Sequence, residues 1–245
     1  MRKLFKAIRD YDLEEVKAIL ENNPKEINSI SVPTPKKDRG QSPLQVAIKI
    51  TAFDIAEYLI EHYSDVNFME EKYDETSLRC PVLHDAIGAV MFCLCCSPLC
   101  SKEEIIKHID NAGKAFLIFK MLCEKGADVN KTDSIGFNAM SRCVFRAESV
   151  LDHQETYPFT QKETEKFFTA MLDVLIEHGA DFADWANSDL NKERYINNFV
   201  PKDDRVIETN FRGKVETIVQ KGNVDFTAHT RAVIQKYIKD RNIII

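Results

Sequence analysis

The sequence predicts an all-α protein, a helix-pair solenoid of about four repeats closed by a C-terminal helical cap. Three observations predict this fold: an apolar trio that recurs at positions i, i+3 and i+4, a helix-stop phrase after each trio, and a helix-start signal upstream. The trio is the stripe of a helix that buries one face. It occurs at Val16/Ile19/Leu20, Ile55/Tyr58/Leu59, Ile118/Met121/Leu122 and Met171/Val174/Leu175, and less regularly at Val215/Ile218/Val219.

The phrase after the trio predicts where each of these helices ends. CEKGADVN follows Leu122 and IEHGADFA follows Leu175, each with a glycine where the helix must stop. Glycine takes the left-handed cap conformation without a steric penalty from a Cβ atom. We therefore expect Gly126 and Gly179 to cap the second helices of their units.

A start signal precedes each closing helix. In GQSPLQVAI, which begins at Gly40, a serine can cap the helix and a proline occupies its first turn. Counterparts begin at Pro81 and Gly136. Each unit is therefore predicted to contain a turn, a first helix, a link, a second helix and an exit loop.

Together these motifs resemble the ankyrin repeat, whose signature combines T-P-L-H-x-A with a later G-A-D-V-N. The matches are SPLQVA, PVLHDA and NAMSRC for the first part, and SDVN, GADVN and GADFA for the second. The resemblance implies repeat units near 1–28, 29–67, 68–130 and 131–183. No copy keeps the full first motif, and the opening unit lacks it, as terminal repeats often do.

Two insertions interrupt the regular spacing. Leu44 and Leu59 are 15 residues apart, whereas the corresponding Leu83 and Leu122 are 39 apart. About 24 extra residues therefore lie between the first and second helices of the third unit. The following unit has a second insertion of about 20 residues at the same place. We expect both insertions to lengthen the helices and the link between them.

The stretch MFCLCCSPLC, which ends at Cys100, holds four of the seven cysteines. It lies in the first insertion, where a continued first helix places Cys93 on the buried stripe and Pro98 ends the helix. Cys96 and Cys100 then line the corner before a capping box at Ser101. Structural zinc sites usually pair two Cys-x2-4-Cys knuckles, and no second knuckle follows. We predict buried structural thiols with no metal and no cofactor; zinc binding and a redox role are the alternatives.

The sequence contains no constellation for catalysis. GxGxxG, GxxxxGK[ST], HExxH and GxSxG are all missing. His84 stands at the histidine of the ankyrin signature, which in that family ties loop backbone to helix, so the resemblance implies a structural role. We predict that the protein is not an enzyme. The alternative is a metal-dependent or enzymatic regulator that uses the insertions or the C-terminal region.

The C-terminal residues 184–245 follow the pattern less closely. We predict that they cap the last repeat, with a fifth degenerate repeat as the alternative. Residues 215–219 are predicted to form a closing helix, and residues 227–239 a final helix.

Composition narrows the classes of partner. The net charge is −6 and no long basic block occurs, which argues against nucleic acid. No apolar run is long enough to cross a bilayer. Seven cysteines, an odd number, without a leader sequence predict reduced thiols and a cytoplasmic location. We expect a monomer that does not bind membranes.

The predicted function is that of a protein–protein interaction scaffold, which binds a protein partner through its exit loops and first-helix faces. By the resemblance, the contact positions flank the turn and follow the first motif. We expect Phe137 and Phe145 to be the anchors and basic residues to meet an acidic partner surface. The predicted contact residues are Asp38, Arg39, Gln41, Lys49 and Ile50 in the second unit, and Ser134, Ile135, Phe137, Phe145 and Arg146 in the fourth.

Overall fold

A computed structural model describes residues 3–31, 38–72, 78–211, 214–222 and 224–245. The chain divides into two compact units, residues 1–182 and 183–245. Most of it is helical, which confirms the all-α class in that coarse sense. Within the described ranges, no helix is both long enough and apolar enough to cross a membrane.

The α-helices found among the described residues of the first unit form four pairs, and a 3-10 helix (Pro24–Asn28) follows the first pair. The two helices of each pair contact one another, each first helix also contacts the first helix of the next pair, and the second helices do likewise. The first helices thus form one row of neighbours and the second helices another. The pairs are α1 (Lys3–Arg9) with α2 (Leu13–Asn22), α3 (Pro43–Lys49) with α4 (Phe53–Glu61), α5 (Val82–Leu94) with α6 (Lys102–Glu124), and α7 (Ala139–Leu151) with α8 (Gln161–Glu177).

The apolar trios predicted from the sequence lie largely between the two rows. Val16, Ile55, Leu59, Leu122 and Leu175 are all at most 2% exposed. Because the residues on the first helices at Leu44, Leu83 and Met140 are buried as well, each pair closes over a continuous apolar core.

Helix starts follow the predicted capping chemistry. Ser42 and Gln45 form a reciprocal capping box at the start of α3, and Ser101 and Glu104 form another at the start of α6. Asn138 caps α7 by accepting a hydrogen bond from a backbone N–H. These caps satisfy amide groups that a helix start leaves without partners.

The ends of the second helices confirm the role of glycine. Gly126 and Gly179 have φ values of +86° and +95°, in the left-handed region. After Gly126, the N–H of Ala127 donates to the carbonyl of Leu122 at 2.9 Å, and this bond closes the helix. The same position after α4 is occupied by Tyr63, which has a φ of +69° despite its side chain.

Asparagines link successive exit loops. The Asn67 side chain donates to the carbonyl of Gly126 at 2.9 Å and accepts from the N–H of Asp128 at 2.7 Å. Asn130 donates in the same way to the carbonyl of Gly179 at 3.2 Å. The recurring asparagine therefore joins one helix end to the next along the first unit.

The two insertions lengthen the helices, as the spacing predicts. The third and fourth pairs have first helices of 13 residues, compared with 7 in α3. Their second helices have 23 and 17 residues, compared with 9 in α4.

The second unit corrects one prediction. Its helices are α9 (Phe182–Asn187), α10 (Asp189–Asn191), a π-helical turn (Lys192–Ile196) and α11 (Ala228–Asp240), so the predicted final helix is confirmed. The predicted closing helix at residues 215–219 is wrong. These residues belong to strand β2 (Lys214–Gln220), which pairs antiparallel with β1 (Arg205–Phe211). The reason is composition, since the valines, threonine and isoleucine of this segment favour extended backbone.

The left-handed helix ends predict opposite effects for two substitutions. Gly126→Ala should lower the free energy of unfolding by about 1 kcal/mol, because a Cβ atom is strained at positive φ. Tyr63→Gly should raise it by a similar amount, since the Tyr63 side chain is 88% exposed and contributes little packing.

Urea denaturation of the two variants and the wild type measures both effects. No atom lies within 4 Å of a Cβ placed at Gly126, so a loss there reports on the backbone and not on a clash. Equal stability of all three proteins would contradict this account of the helix ends.

Candidate functional site

A groove opens on the row of first helices, between α3, α5 and α7. Its volume is about 210 Å³. The residues around it include charged, polar and apolar side chains. They are Lys49, Thr51, Cys80, His84, Asp85, Gly88, Ala89, Phe92, Arg142 and Arg146.

Lys49 and Asp85, which line the groove, belong to a hydrogen-bonded network of polar side chains. Lys49 forms ion pairs with Glu70 and with Asp85, the latter at 3.4 Å. Gln45 donates to Asp85 at 2.8 Å, and Gln41 donates to Glu70 at 2.8 Å. The network joins α3 to α5 and to the loop between the second and third pairs.

Burial and charge act in opposite directions on the pKa values of this network. Burial raises the pKa of the Asp85 carboxyl to about 6, although Lys49 and Gln45 favour its charged form. Burial lowers the pKa of Lys49, but the attraction of Asp85 and Glu70 outweighs it and leaves the pKa above its ordinary value. Lys49 is therefore charged and already paired at neutral pH.

His84 and Arg142, which also line the groove, lie next to the side chain of Asp133. This buried carboxylate accepts from the N–H groups of Ile135 and Phe137, each at 3.0 Å, and forms an ion pair with Arg142. Nδ1 of His84 lies 3.7 Å from the same carboxylate. Burial and the charge of Arg142 lower the pKa of His84 to about 4, so the imidazole is neutral at pH 7.

The predicted contact residues of the second predicted repeat, residues 29–67, divide into buried and accessible groups. Asp38 is buried and forms an ion pair with Arg9, and Gln41 is buried in the network above. Arg39 and Ile50 are half-buried. Lys49 lines the groove. Asp38 and Gln41 therefore stabilise the fold from inside and are not presented to a partner.

The predicted contact residues of the fourth predicted repeat, residues 131–183, are more accessible. Ser134 and Ile135 are exposed in the loop before α7. Phe137 is half-buried and contacts Phe145 edge to face, with ring centroids 6.0 Å apart. Phe145 is 45% exposed, and Arg146 lines the same groove as Lys49. The fold thus brings Lys49 and Arg146, from different predicted units, to one surface.

Sequence reasoning missed Phe92, which is 68% exposed at the edge of this groove. It follows Asp85 and Gly88 on one face of α5, at spacings of seven and four residues. That face lies opposite the buried stripe that begins at Leu83. The sequence contains this signal, because the helical spacing of Asp85, Gly88 and Phe92 places polar and apolar residues together on a second face of α5.

A charged cavity of about 470 Å³ in the second unit is a weaker candidate. Three of its basic side chains are paired with acidic neighbours: Lys202 with Glu193, Lys221 with Asp204, and Arg231 with Asp225. Paired surface charges of this kind give little net attraction for a ligand.

Two sets of side chains have donors of the type that hold metal ions. Cys80, His84 and Asp133 form one, and Cys96, Cys100 and His108 form the other. In the first set, the guanidinium of Arg142 already pairs with Asp133. A second cation there would have to displace or repel this arginine.

Cys80 and His84 lack the features of a nucleophile and its base. Burial, with a further contribution from Asp85, raises the pKa of Cys80 to about 12, so its thiol stays protonated at neutral pH. A reactive cysteine requires the opposite shift.

Comparison with known proteins gives no family: no protein-family model matches the chain. A search of curated proteins gives no match either.

The raised pKa of Asp85 predicts a pH-dependent difference between the wild type and Asp85→Asn. A carboxyl whose pKa rises from 3.8 to about 6 on folding binds a proton more tightly in the folded state. Its contribution to stability is therefore fully present below pH 3.8 and is lost as the pH rises through 6. On lowering the pH from 7 to 4, the wild type should gain up to ~3 kcal/mol relative to the variant.

Urea denaturation of both proteins at half-unit pH steps measures that difference, and titrating groups that do not interact with Asp85 cancel between them. A difference that is independent of pH, or that grows as the pH rises, would contradict the assignment.

Proposed function

We propose that this protein is a non-enzymatic binding module, an ankyrin-like solenoid of about four repeats with a C-terminal cap, which binds a protein partner. Three features support the repeat description. Helix pairs recur with the same neighbours, α4, α6 and α8 each close at a left-handed residue, and asparagines join successive exit loops. A cytoplasmic location and a monomeric state belong to the same proposal.

The observation that carries the proposed function is the groove between α3, α5 and α7. Exposed Phe92 and Arg146 line this groove, and exposed Phe145 precedes Arg146 on α7. Aromatic and arginine side chains are the residue types that dominate binding energy in protein interfaces. A flat polar surface would present none of these anchors.

The charges of this surface indicate what the partner supplies. Lys49 and Arg142 are already paired with carboxylates, whereas no carboxylate of a described residue lies within salt-bridge distance of Arg146. An acidic side chain of the partner would therefore pair with Arg146, and an apolar one would pack against Phe92 or Phe145. Paired Lys49 would contribute less than the sequence suggests, because its charge is already balanced.

The titratable groups of the groove favour binding over catalysis. Their charges balance one another in two fixed sets around Asp85 and Asp133. Cys80 is a protonated thiol and His84 a neutral imidazole at pH 7. These states support the fold and supply neither an activated nucleophile nor a general base near neutral pH.

Two surface substitutions test the proposal separately. Phe145→Ala should weaken binding of the native partner by ~2 kcal/mol if the ring is buried in the complex. Arg146→Glu should mainly slow association, and the effect should shrink at high salt, because charges at an interface steer encounter. The measurements are affinity capture from the source cell with isotope-labelled quantification, then association kinetics with the identified partner.

Matched controls lie on the row of second helices. Leu117 of α6 is 59% exposed, so Leu117→Ala removes a comparable apolar side chain, and Lys114→Glu reverses a comparable exposed charge. The controls should retain the partner, and all four variants should melt near the wild type. A partner that both groove variants retain, or that the α6 variants lose, contradicts this choice of surface.

A further inference from the structure

The corner between α5 and α6 brings two cysteines and a histidine together. The sulfur atoms of Cys96 and Cys100 and a ring nitrogen of His108 all lie within 4.8 Å of one another. Cys96 is fully buried, and the other two side chains are partly exposed. The cluster is thus anchored in the core and open to solvent on one side.

The backbone fixes the two thiols on a short turn. The N–H of Cys100 donates to the carbonyl of Ser97 at 3.1 Å, and the N–H of Leu99 donates to the Ser97 hydroxyl at 3.2 Å. The next residue, Ser101, caps α6. Cys96 and Cys100 are therefore held in a Cys-x3-Cys turn, a spacing within the range of zinc knuckles.

The hydrogen bond of His108 sets which of its nitrogens can bind a metal. Nδ1 lies 2.8 Å from the carbonyl oxygen of Cys93 in the last turn of α5. A carbonyl only accepts, so Nδ1 carries the proton and Nε2 holds the lone pair. Metal-binding histidines are usually oriented by such a bond from the other ring nitrogen. The hydrogen bond to the α5 carbonyl explains the role of Nδ1. It does not explain why two thiols lie beside the ring.

We infer that Cys96, Cys100 and His108 form a binding site for one zinc ion. Two sulfur donors and one imidazole favour zinc over hard cations such as magnesium and calcium. Three protein ligands leave the fourth position to water. Binding converts both thiols to thiolates and releases their protons to solvent.

This inference departs from the prediction that no metal is bound. That prediction relied on the lack of a second cysteine knuckle in the sequence. In the structure, α6 supplies the third ligand from His108, eight residues after Cys100.

Cobalt, a spectroscopic substitute for zinc, tests the site in the full-length reduced protein. The wild type should bind one equivalent of Co²⁺ with a thiolate charge-transfer band, and Zn²⁺ should displace it stoichiometrically. Cys100→Ser and His108→Gln should each lower the affinity at least ~10-fold. Cys95→Ser is the matched control, since this neighbouring thiol lies outside the cluster, and it should bind like the wild type.

A second measurement does not depend on the folding of any variant. Zn²⁺ should protect the partly exposed Cys100 of the wild type from alkylation and leave the reactivity of the partly exposed Cys80 unchanged, as peptide mass spectrometry would show. Lack of a charge-transfer band, equal binding by Cys100→Ser, or no protection by Zn²⁺ would overturn the inference. A Cys96–Cys100 disulfide that forms in air, with no metal bound by the reduced protein, would likewise overturn it in favour of redox chemistry.

Discussion

The side chain of Asn67 makes the hydrogen bonds on which the first unit depends. It accepts from one backbone group and donates to another at the end of α6, so its carboxamide is satisfied only when the second and third pairs are in one register. Asn130 makes the corresponding donor bond, to the carbonyl of Gly179, one pair later. These contacts need a helix that ends in the left-handed conformation, because only then do the carbonyl of Gly126 and the N–H of Asp128 face the asparagine. These hydrogen bonds therefore fix at once the length of α6, the residue at which it ends and the helix pair that lies next to it.

The polar walls of the groove follow from the same register. Once the first helices lie side by side, Gln45 and Lys49 of α3 face Asp85 of α5, and a charge that would be costly alone is balanced by its neighbours. The raised pKa of Asp85 shows that this balance is incomplete. A buried network of this kind constrains the alignment of the helices more than it adds to stability.

The sequence predicted most of the first unit because its signals are local. Capping boxes, the glycines at 126 and 179 and the apolar trios all act within a few residues, and each is found where expected. Contacts between distant segments could not be read in this way. Asp38 was expected on the surface, but it is buried and forms an ion pair with Arg9, which is partly exposed. The strand at residues 214–220 was missed because its apolar residues fit a helical trio, while their β-branched character and pairing with β1 decided the outcome.

The insertions explain why the aromatic edge of the groove and the cysteine corner lie on the same helix. Aligned with α3, helix α5 continues past Gly88 for six residues, and this extension carries both Phe92 and the start of the cysteine-rich stretch. A longer helix exposes new carbonyls at its end, and the inserted segments supply their partners: His108 binds the carbonyl of Cys93, and Thr160 that of Leu94 at 2.6 Å. The second insertion therefore completes the helix end that the first one creates. A helix pair without either insertion has no extension to cap, and so has neither an exposed aromatic ring at this position nor a histidine beside the thiols.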